Sequence, residues 1–167
     1  MRTSLLFDFS VEKEDKKIIV KREFAAPLKN VWAAWTEAIL LDQWWAPNPW
    51  KAKTKKQEFK EGGTWLYAME GPDGEQHWSK ADYTSIKPQK SYSVRDAFCD
   101  SDGKINEQMP RSNWYVQFNE KGGSTFVTIE IEHDKLEDLE TIIKMGFKEG
   151  FTAGMENLDA LLEKQHK

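Results

Sequence analysis

Apolar and polar residues alternate along most of the chain between Leu5 and Glu132, and this period of two predicts a succession of β-strands. Turns rich in Gly, Pro and Asp separate the later strands, which is typical of an antiparallel meander. The first two strands predict a hairpin, so an extra N-terminal strand over about residues 4–11 precedes the main sheet. The predicted strands cover residues 5–11, 16–24, 52–59, 64–69, 76–86, 91–98, 113–119 and 124–132.

Between the second and third of these strands the spacing of apolar residues becomes helical. Pro27 suits the first position of a helix that runs to Trp35, because its missing N–H costs nothing there. Thr36 is expected to cap a second short helix, Glu37 to Trp44, and Pro47 ends it. The sequence therefore predicts two short helices in tandem.

A single long helix is predicted near the end of the chain, from about Leu136 to Glu163, with acidic residues in its first turn. Gly150 and Gly154 fall in the middle of its apolar face, where each costs roughly 1 kcal/mol relative to alanine. Two explanations stay open: a close approach or bend of the helix, and room for a ligand between helix and sheet. The apolar face consists of Leu136, Leu139, Ile143, Phe147, Phe151, Leu158 and Leu161.

Short motifs along the chain resemble those of the START-like helix-grip (SRPBCC) superfamily. The family resembled is that of the activator of the ninety-kilodalton heat-shock-protein ATPase, in its C-terminal-domain-like form, over about residues 16–163. Ala81 departs from the pattern, since relatives often carry glycine there. The motifs are Arg22–Pro47, Gly62–Trp65, Gly71–Gly74, Ile86–Pro88, Gly123–Thr128 and Gly146–Phe151.

The resemblance implies a single α+β domain over residues 1–167. Its helix-grip fold wraps an antiparallel sheet around a long C-terminal helix, with two short helices after the first core strand. Members of the superfamily include lipid and polyketide binders, cyclases and co-chaperones. The fold therefore leaves the function open.

Charge and composition exclude several classes of function. The net charge of −4 is spread along the chain, so no nucleic-acid partner is expected. The single cysteine, Cys99, excludes an internal disulfide and is expected to be a plain thiol rather than a nucleophile. No signal-peptide core and no apolar stretch of about 20 residues occurs, so we expect a cytoplasmic protein without a membrane span.

No motif in the sequence specifies a reaction. The three histidines, His77, His133 and His166, are far apart, and no metal-binding spacing, nucleophile elbow or nucleotide-binding glycine loop occurs. We therefore expect no catalytic residue, no metal and no cofactor. A cyclase-like enzyme stays open as an alternative, with candidate polar residues at Asp82, Tyr83, Arg95, Asp96 and His77, of which adjacent Arg95 and Asp96 point to opposite faces of their strand.

The eight tryptophans, nine phenylalanines and four tyrosines suggest an aromatic chamber between sheet and helix. Trp44 and Trp45 either close its mouth or pack the short helices. The predicted ligand-binding residues are Trp44, Trp65, Tyr67, Met69, Tyr83, Phe98, Trp114, Phe147, Gly150, Phe151 and Gly154.

The predicted function is binding of a small hydrophobic or amphipathic molecule, in a stress-related setting. A co-chaperone that stimulates a heat-shock ATPase through a protein surface is the alternative from another class, and a heat-shock chaperone is then the partner. A monomer or weak homodimer is expected.

Overall fold

The strands pair side by side in one antiparallel sheet of eight, in the order β1-β2-β8-β7-β6-β5-β4-β3. The computed structural model describes residues 5–165, so Ser4 of the predicted first strand and His166 lie outside the described residues. The strands are β1 (Phe7–Glu12), β2 (Lys17–Phe24), β3 (Lys51–Gln57), β4 (Thr64–Glu70), β5 (Gln76–Lys87), β6 (Ser91–Cys99), β7 (Ser112–Lys121) and β8 (Ser124–His133).

Four α-helices complete the described chain, together with one 3₁₀ turn, Lys13–Asp15, between the first two strands. They are α1 (Leu28–Thr36), α2 (Ala38–Trp44), α3 (Leu136–Lys144) and α4 (Phe147–Gln165). Together with the sheet they confirm the predicted α+β helix-grip fold. Among the described residues, no helix combines the length and the apolar character that crossing a membrane requires.

The alternation of side chains decides which face of the sheet packs against the helices. In β7 and β8 every second residue is buried, and Trp114, Val116 and Phe118 lie directly opposite Ile131, Ile129 and Val127. Strand β2 pairs with β8 and extends the same inner face through Ile18 and Val20. Strand β2 and the last strand, β8, are therefore neighbours in the sheet although they are far apart in the sequence.

The start of α2 is not capped by Thr36, contrary to the prediction from the sequence. Thr36 is the last residue of α1, and its hydroxyl donates to the carbonyl of Trp32 (2.7 Å) instead of capping α2. The free N–H of Ala38 donates to the side-chain oxygen of Gln57 on β3 (2.9 Å). A distant glutamine thus satisfies the helix start that a local threonine was expected to satisfy. Pro27 likewise precedes α1 as its N-cap rather than opening it.

The predicted helix over 136–163 is wrong in one respect: it is broken into α3 and α4. Gly146 has a φ of +89°, in the left-handed region, and this conformation ends the first helix after Lys144. The second helix begins at Phe147 and carries most of the buried side chains. The two segments keep their apolar residues in similar phase, which is why the sequence pattern resembles one continuous helix.

Candidate functional site

A cleft of about 320 Å³ lies between the inner face of the sheet and the joint of α3 and α4. Its floor is formed by strands β4 to β8, and its roof by the end of α3 and the first turns of α4. Met145, 53% exposed, stands at the rim. The lining residues at the helical side are Ile142, Met145, Gly146, Phe147, Gly150 and Phe151.

Aromatic rings form much of the cleft wall. Phe147 and Phe151 stack with their ring centroids 5.1 Å apart. Trp114 of β7 meets both rings nearly edge-on, at 6.0 and 5.9 Å. A wall of this kind offers a large apolar area with few rotatable bonds, which suits an apolar ligand.

A second and smaller cavity of about 50 Å³ adjoins the cleft on the side of α1 and α2. Four residues line both spaces: Trp45, Tyr67, Asp96 and Trp114. The indole Nε1 of Trp45 donates a hydrogen bond to the hydroxyl of Tyr67 (3.0 Å) and so bridges α2 and β4 at this boundary. Burial raises the pKa of the Tyr67 hydroxyl, which therefore stays protonated.

Asp96 is the acidic residue at the boundary of the two cavities. Its Oδ1 accepts hydrogen bonds from the backbone N–H and the hydroxyl of Ser112, at 2.6 and 2.9 Å, and its Oδ2 accepts one from the indole of Trp114 at 2.9 Å. Burial raises the pKa of the Asp96 carboxyl against the effect of these donors. Within residues 5–165, no basic side chain forms an ion pair with it.

His133 lies beside this network at the end of β8, directly opposite Ser112. It is 2% exposed, and neither ring nitrogen has a hydrogen-bond partner among the described residues. Burial lowers the pKa of the imidazole, even though Asp96, Asp134 and Asp138 attract its protonated form. The imidazole is therefore held in its neutral state in the cleft wall.

The candidate residues for a cyclase-like reaction are dispersed. Asp96 faces the cavities, whereas its neighbour Arg95 pairs with Asp134 on the other face (2.8 Å). Asp82 shares that outer face, Tyr83 lines only the smaller cavity, and His77 is an exposed residue of the cleft. The part of the chain that the structure describes contains no group of three or more His, Cys, Asp or Glu that could hold a metal ion.

The structure brings most of the predicted ligand-binding residues together, in two groups. Trp65 and Tyr83 line the smaller cavity with Tyr67. Tyr83 accepts a hydrogen bond from Gln57 (3.1 Å), and burial raises the pKa of its hydroxyl to about 12. The predicted residues that line the cleft are Tyr67, Met69, Phe98, Trp114, Phe147, Gly150 and Phe151.

Trp44 and Gly154 were predicted to bind the ligand, but both lie outside the two cavities. Trp44 is 1% exposed and donates its indole N–H to the carbonyl of Ala34 (2.8 Å), so it belongs to the core. A Cβ on Gly154 would lie 3.4 Å from the carbonyl oxygens of Trp44 and Trp45. Gly154 therefore packs against the end of α2 and borders neither cavity.

Sequence reasoning missed part of the polar side of the cleft. The prediction assigned Trp44 to the ligand site, whereas Trp45 lines both cavities. Adjacent side chains on a helix diverge by about 100°, so only one of the two could face the site, and the sequence did not show which. Ser112 and His133 gave no local signal, because their relation to Asp96 depends on pairing across three strands. Asp96 was considered only as a catalytic candidate and not as a binding residue.

Solved structures share this architecture over nearly their whole length. A protein from Arthrobacter aurescens has a TM-score of 0.89 at 28% identity, covering 94% of this chain and 91% of its own. A protein from Mycobacterium smegmatis has a TM-score of 0.87 at 28% identity, with 95% and 97% covered. For one from Staphylococcus epidermidis the values are 0.82 and 27%, with 93% and 94% covered. None of the curated proteins matches the chain.

The family described as "Activator of Hsp90 ATPase homolog 1-like protein" matches residues 25–163. This range begins just after β2 and ends within α4, so it includes all the elements that form the cleft. Strands β1 and β2 both lie outside it, whereas the predicted family core begins at about residue 16 and includes β2. The chain belongs to the family of Activator of Hsp90 ATPase homolog 1-like proteins.

Proposed function

We propose that the chain binds a small hydrophobic or amphipathic molecule in the cleft between the sheet and the joint of α3 and α4. The observation that carries this proposal is the cleft itself, with a volume of about 320 Å³ and a wall of aromatic rings. Ligand pockets have volumes of about 300–1,000 Å³, apolar walls and a few polar groups, and this cleft has all three properties.

Binding is tested with N-phenyl-1-naphthylamine, a neutral apolar dye whose fluorescence rises in apolar surroundings. The dye is expected to bind with micromolar affinity and to raise the melting temperature with its concentration, because it binds the folded state. A medium-chain fatty acid serves as a second probe, and its effect on the melting temperature tests the apolar part of the cleft. No change of fluorescence and no rise of the melting temperature at millimolar ligand would reject the proposal.

Gly150→Leu tests whether the dye binds in the cleft. A Cβ at this position meets only the ring of Pro47, at an ordinary contact distance of 3.7 Å, so we expect the fold to tolerate a larger residue here. The leucine side chain then fills cleft volume and is expected to weaken dye binding by at least about tenfold. Glu156→Leu is the matched control, because it adds the same side chain at an exposed position of α4. Equal binding by both variants would mean that the site is elsewhere.

The second candidate function is stimulation of a heat-shock ATPase through a protein surface, and membership in the family favours it. The described surface includes three exposed apolar side chains at or next to the edge strand β1: Leu6, Phe7 and Val11. This candidate function is tested by measuring the ATPase rate of a heat-shock chaperone with and without the purified chain. Stimulation that persists in Gly150→Leu and is lost in Phe7→Ser would assign the activity to the surface and not to the cleft.

A further inference from the structure

Asp96 is the only charged residue among the four that line both cavities. Its two oxygens are oriented by neutral donors alone, which are the backbone N–H and hydroxyl of Ser112 and the indole of Trp114. These donors fix the position of the carboxylate without neutralising its charge. A carboxylate taken out of water without a cation is costly, and a bound cation would offset that cost.

Two basic groups of the cleft wall, Arg111 and His133, do not supply that cation, and Lys80 of the smaller cavity lies 3.9 Å from the carboxylate of Asp82. The Nε of Arg111 donates to the backbone carbonyl of Asp96 (2.9 Å), and its terminal nitrogen lies 3.8 Å from the carboxylate of Asp82 on the outer face. His133, which also lines the cleft, is kept neutral by burial. The negative charge at the boundary of the cavities is therefore without a countercharge from these two side chains.

The aromatic residues around Asp96 suit a cation as well. The ring of Trp45 lies 5.8 Å from that of Trp114, 6.4 Å from Tyr67 and 6.5 Å from Phe151, measured between centroids. Faces of indole and phenol rings attract cations through their quadrupole, and this attraction is strongest where water is excluded. A carboxylate among such rings is a combination that recognises an ammonium group.

We propose that the ligand of the cleft is an organic amine in its ammonium form, with its nitrogen at Asp96 and its apolar body against Trp114, Phe147 and Phe151. The inference rests on the proposed binding function and specifies the ligand's polar end. An anionic amphiphile in the same position would bring a second negative charge beside Asp96, which opposes binding. A neutral alcohol would gain a hydrogen bond without the attraction between opposite charges.

Three ligands with the same eight-carbon chain separate these cases: octylammonium, 1-octanol and octanoate, each at pH 7. They compete with bound N-phenyl-1-naphthylamine, and the concentration that displaces half of the dye is measured. Octylammonium is expected to act at a concentration at least about tenfold lower than octanoate, which corresponds to about 1.4 kcal/mol. Octanol is expected to fall between them.

Asp96→Asn is expected to abolish most of the preference for octylammonium while 1-octanol displaces the dye as before. Glu132→Gln is the control, since it removes one negative charge from an exposed residue of β8. Equal displacement by octylammonium and octanoate in the natural chain, or a preference that persists in Asp96→Asn, would overturn the inference while the binding function stands. Failure of the dye and of all three ligands to bind would overturn both.

Discussion

The indole N–H groups of Trp44 and Trp45 donate in different directions although the residues are adjacent. Trp44 donates to the carbonyl of Ala34 in α1 (2.8 Å), and Trp45 donates to the hydroxyl of Tyr67 in β4 (3.0 Å). The first bond lies within the core, and the second lies at the boundary between the cleft and the smaller cavity. One double tryptophan thus supplies both a packing residue and a cavity wall.

Truncating these two residues is expected to separate stability from binding. Trp44→Ala should lower the free energy of unfolding by roughly 3–5 kcal/mol, because it empties a fully buried site. Trp45→Ala should cost less stability, since its side chain is half-buried, and should weaken dye binding by at least about tenfold. Urea unfolding and dye titration of both variants measure the two effects. Equal losses of stability with no separate effect on binding would show that both residues are structural.

The two glycines of α4 should respond in opposite ways to larger side chains. Gly150→Ala is expected to stabilise the fold by about 0.5–1 kcal/mol, because alanine favours the helix and its Cβ meets only Pro47. Gly154→Leu should destabilise it by about 1–3 kcal/mol, because the Cβ already contacts the carbonyl oxygens of Trp44 and Trp45 at 3.4 Å and the rest of the leucine side chain overpacks this contact. Urea midpoints at constant slope give both values. A stable Gly154→Leu variant would contradict the close packing of α4 on α2.

Gln57 is expected to be essential for the joint between α1 and α2. Its oxygen accepts from Ala38, and its nitrogen donates to the carbonyl of Thr36 (2.8 Å) and to the hydroxyl of Tyr83 (3.1 Å). Gln57→Leu should lower the free energy of unfolding by about 1–3 kcal/mol, because it leaves partly buried groups unpaired. Gln43→Leu is the control, because Gln43 is exposed. Similar small losses in both variants would contradict this role.

The neutral state of His133 predicts a loss of stability in mild acid. Its folded-state pKa is lowered by burial from the ordinary 6.5, so below pH 6.5 the unfolded chain binds more protons than the folded chain. The free energy of unfolding then decreases as the pH falls, whereas the contribution is fully present above 6.5. His133→Leu should flatten the dependence between pH 7 and 5.5, measured by urea unfolding.

Asp96→Asn is the comparison for this experiment, because the raised pKa of the Asp96 carboxyl has the opposite effect. Burial makes protonation of this carboxyl easier in the folded chain than in the unfolded chain, so its contribution to stability decreases as the pH rises above 3.8. An unchanged slope in His133→Leu, with the slope altered only in Asp96→Asn, would show that His133 does not control the response to acid.

Most strands and both short helices could be predicted from the sequence, because the spacing of apolar residues within each segment indicates its secondary structure. In β7 as far as Phe118, and along all of β8, every second residue is buried, so the inner face of both strands could be predicted from the chain alone. The break at Gly146 could not, because a glycine at the end of one helix and a glycine inside a longer one leave the same apolar pattern.

The site was predictable only on its apolar side. Phe147, Phe151 and Trp114 follow from helix and strand periodicity, and all three line the cleft. The contact of Ser112 with Asp96 depends on the exact pairing of β6 with β7, which no local pattern encodes. The packing role of Gly154 depends on where α2 ends relative to α4, which is a long-range property as well.

Gly146, which separates α3 from α4, also separates a mostly exposed helix from a buried one. Helix α4 buries six residues, five of them with apolar side chains, whereas α3 buries only Leu139 among its nine residues. Substitutions in α3 therefore change the rim of the cleft while the anchoring of α4 remains intact. Under the proposed binding function, the preference of the cleft for its ligand can therefore change without loss of the packing that holds α4 to the sheet.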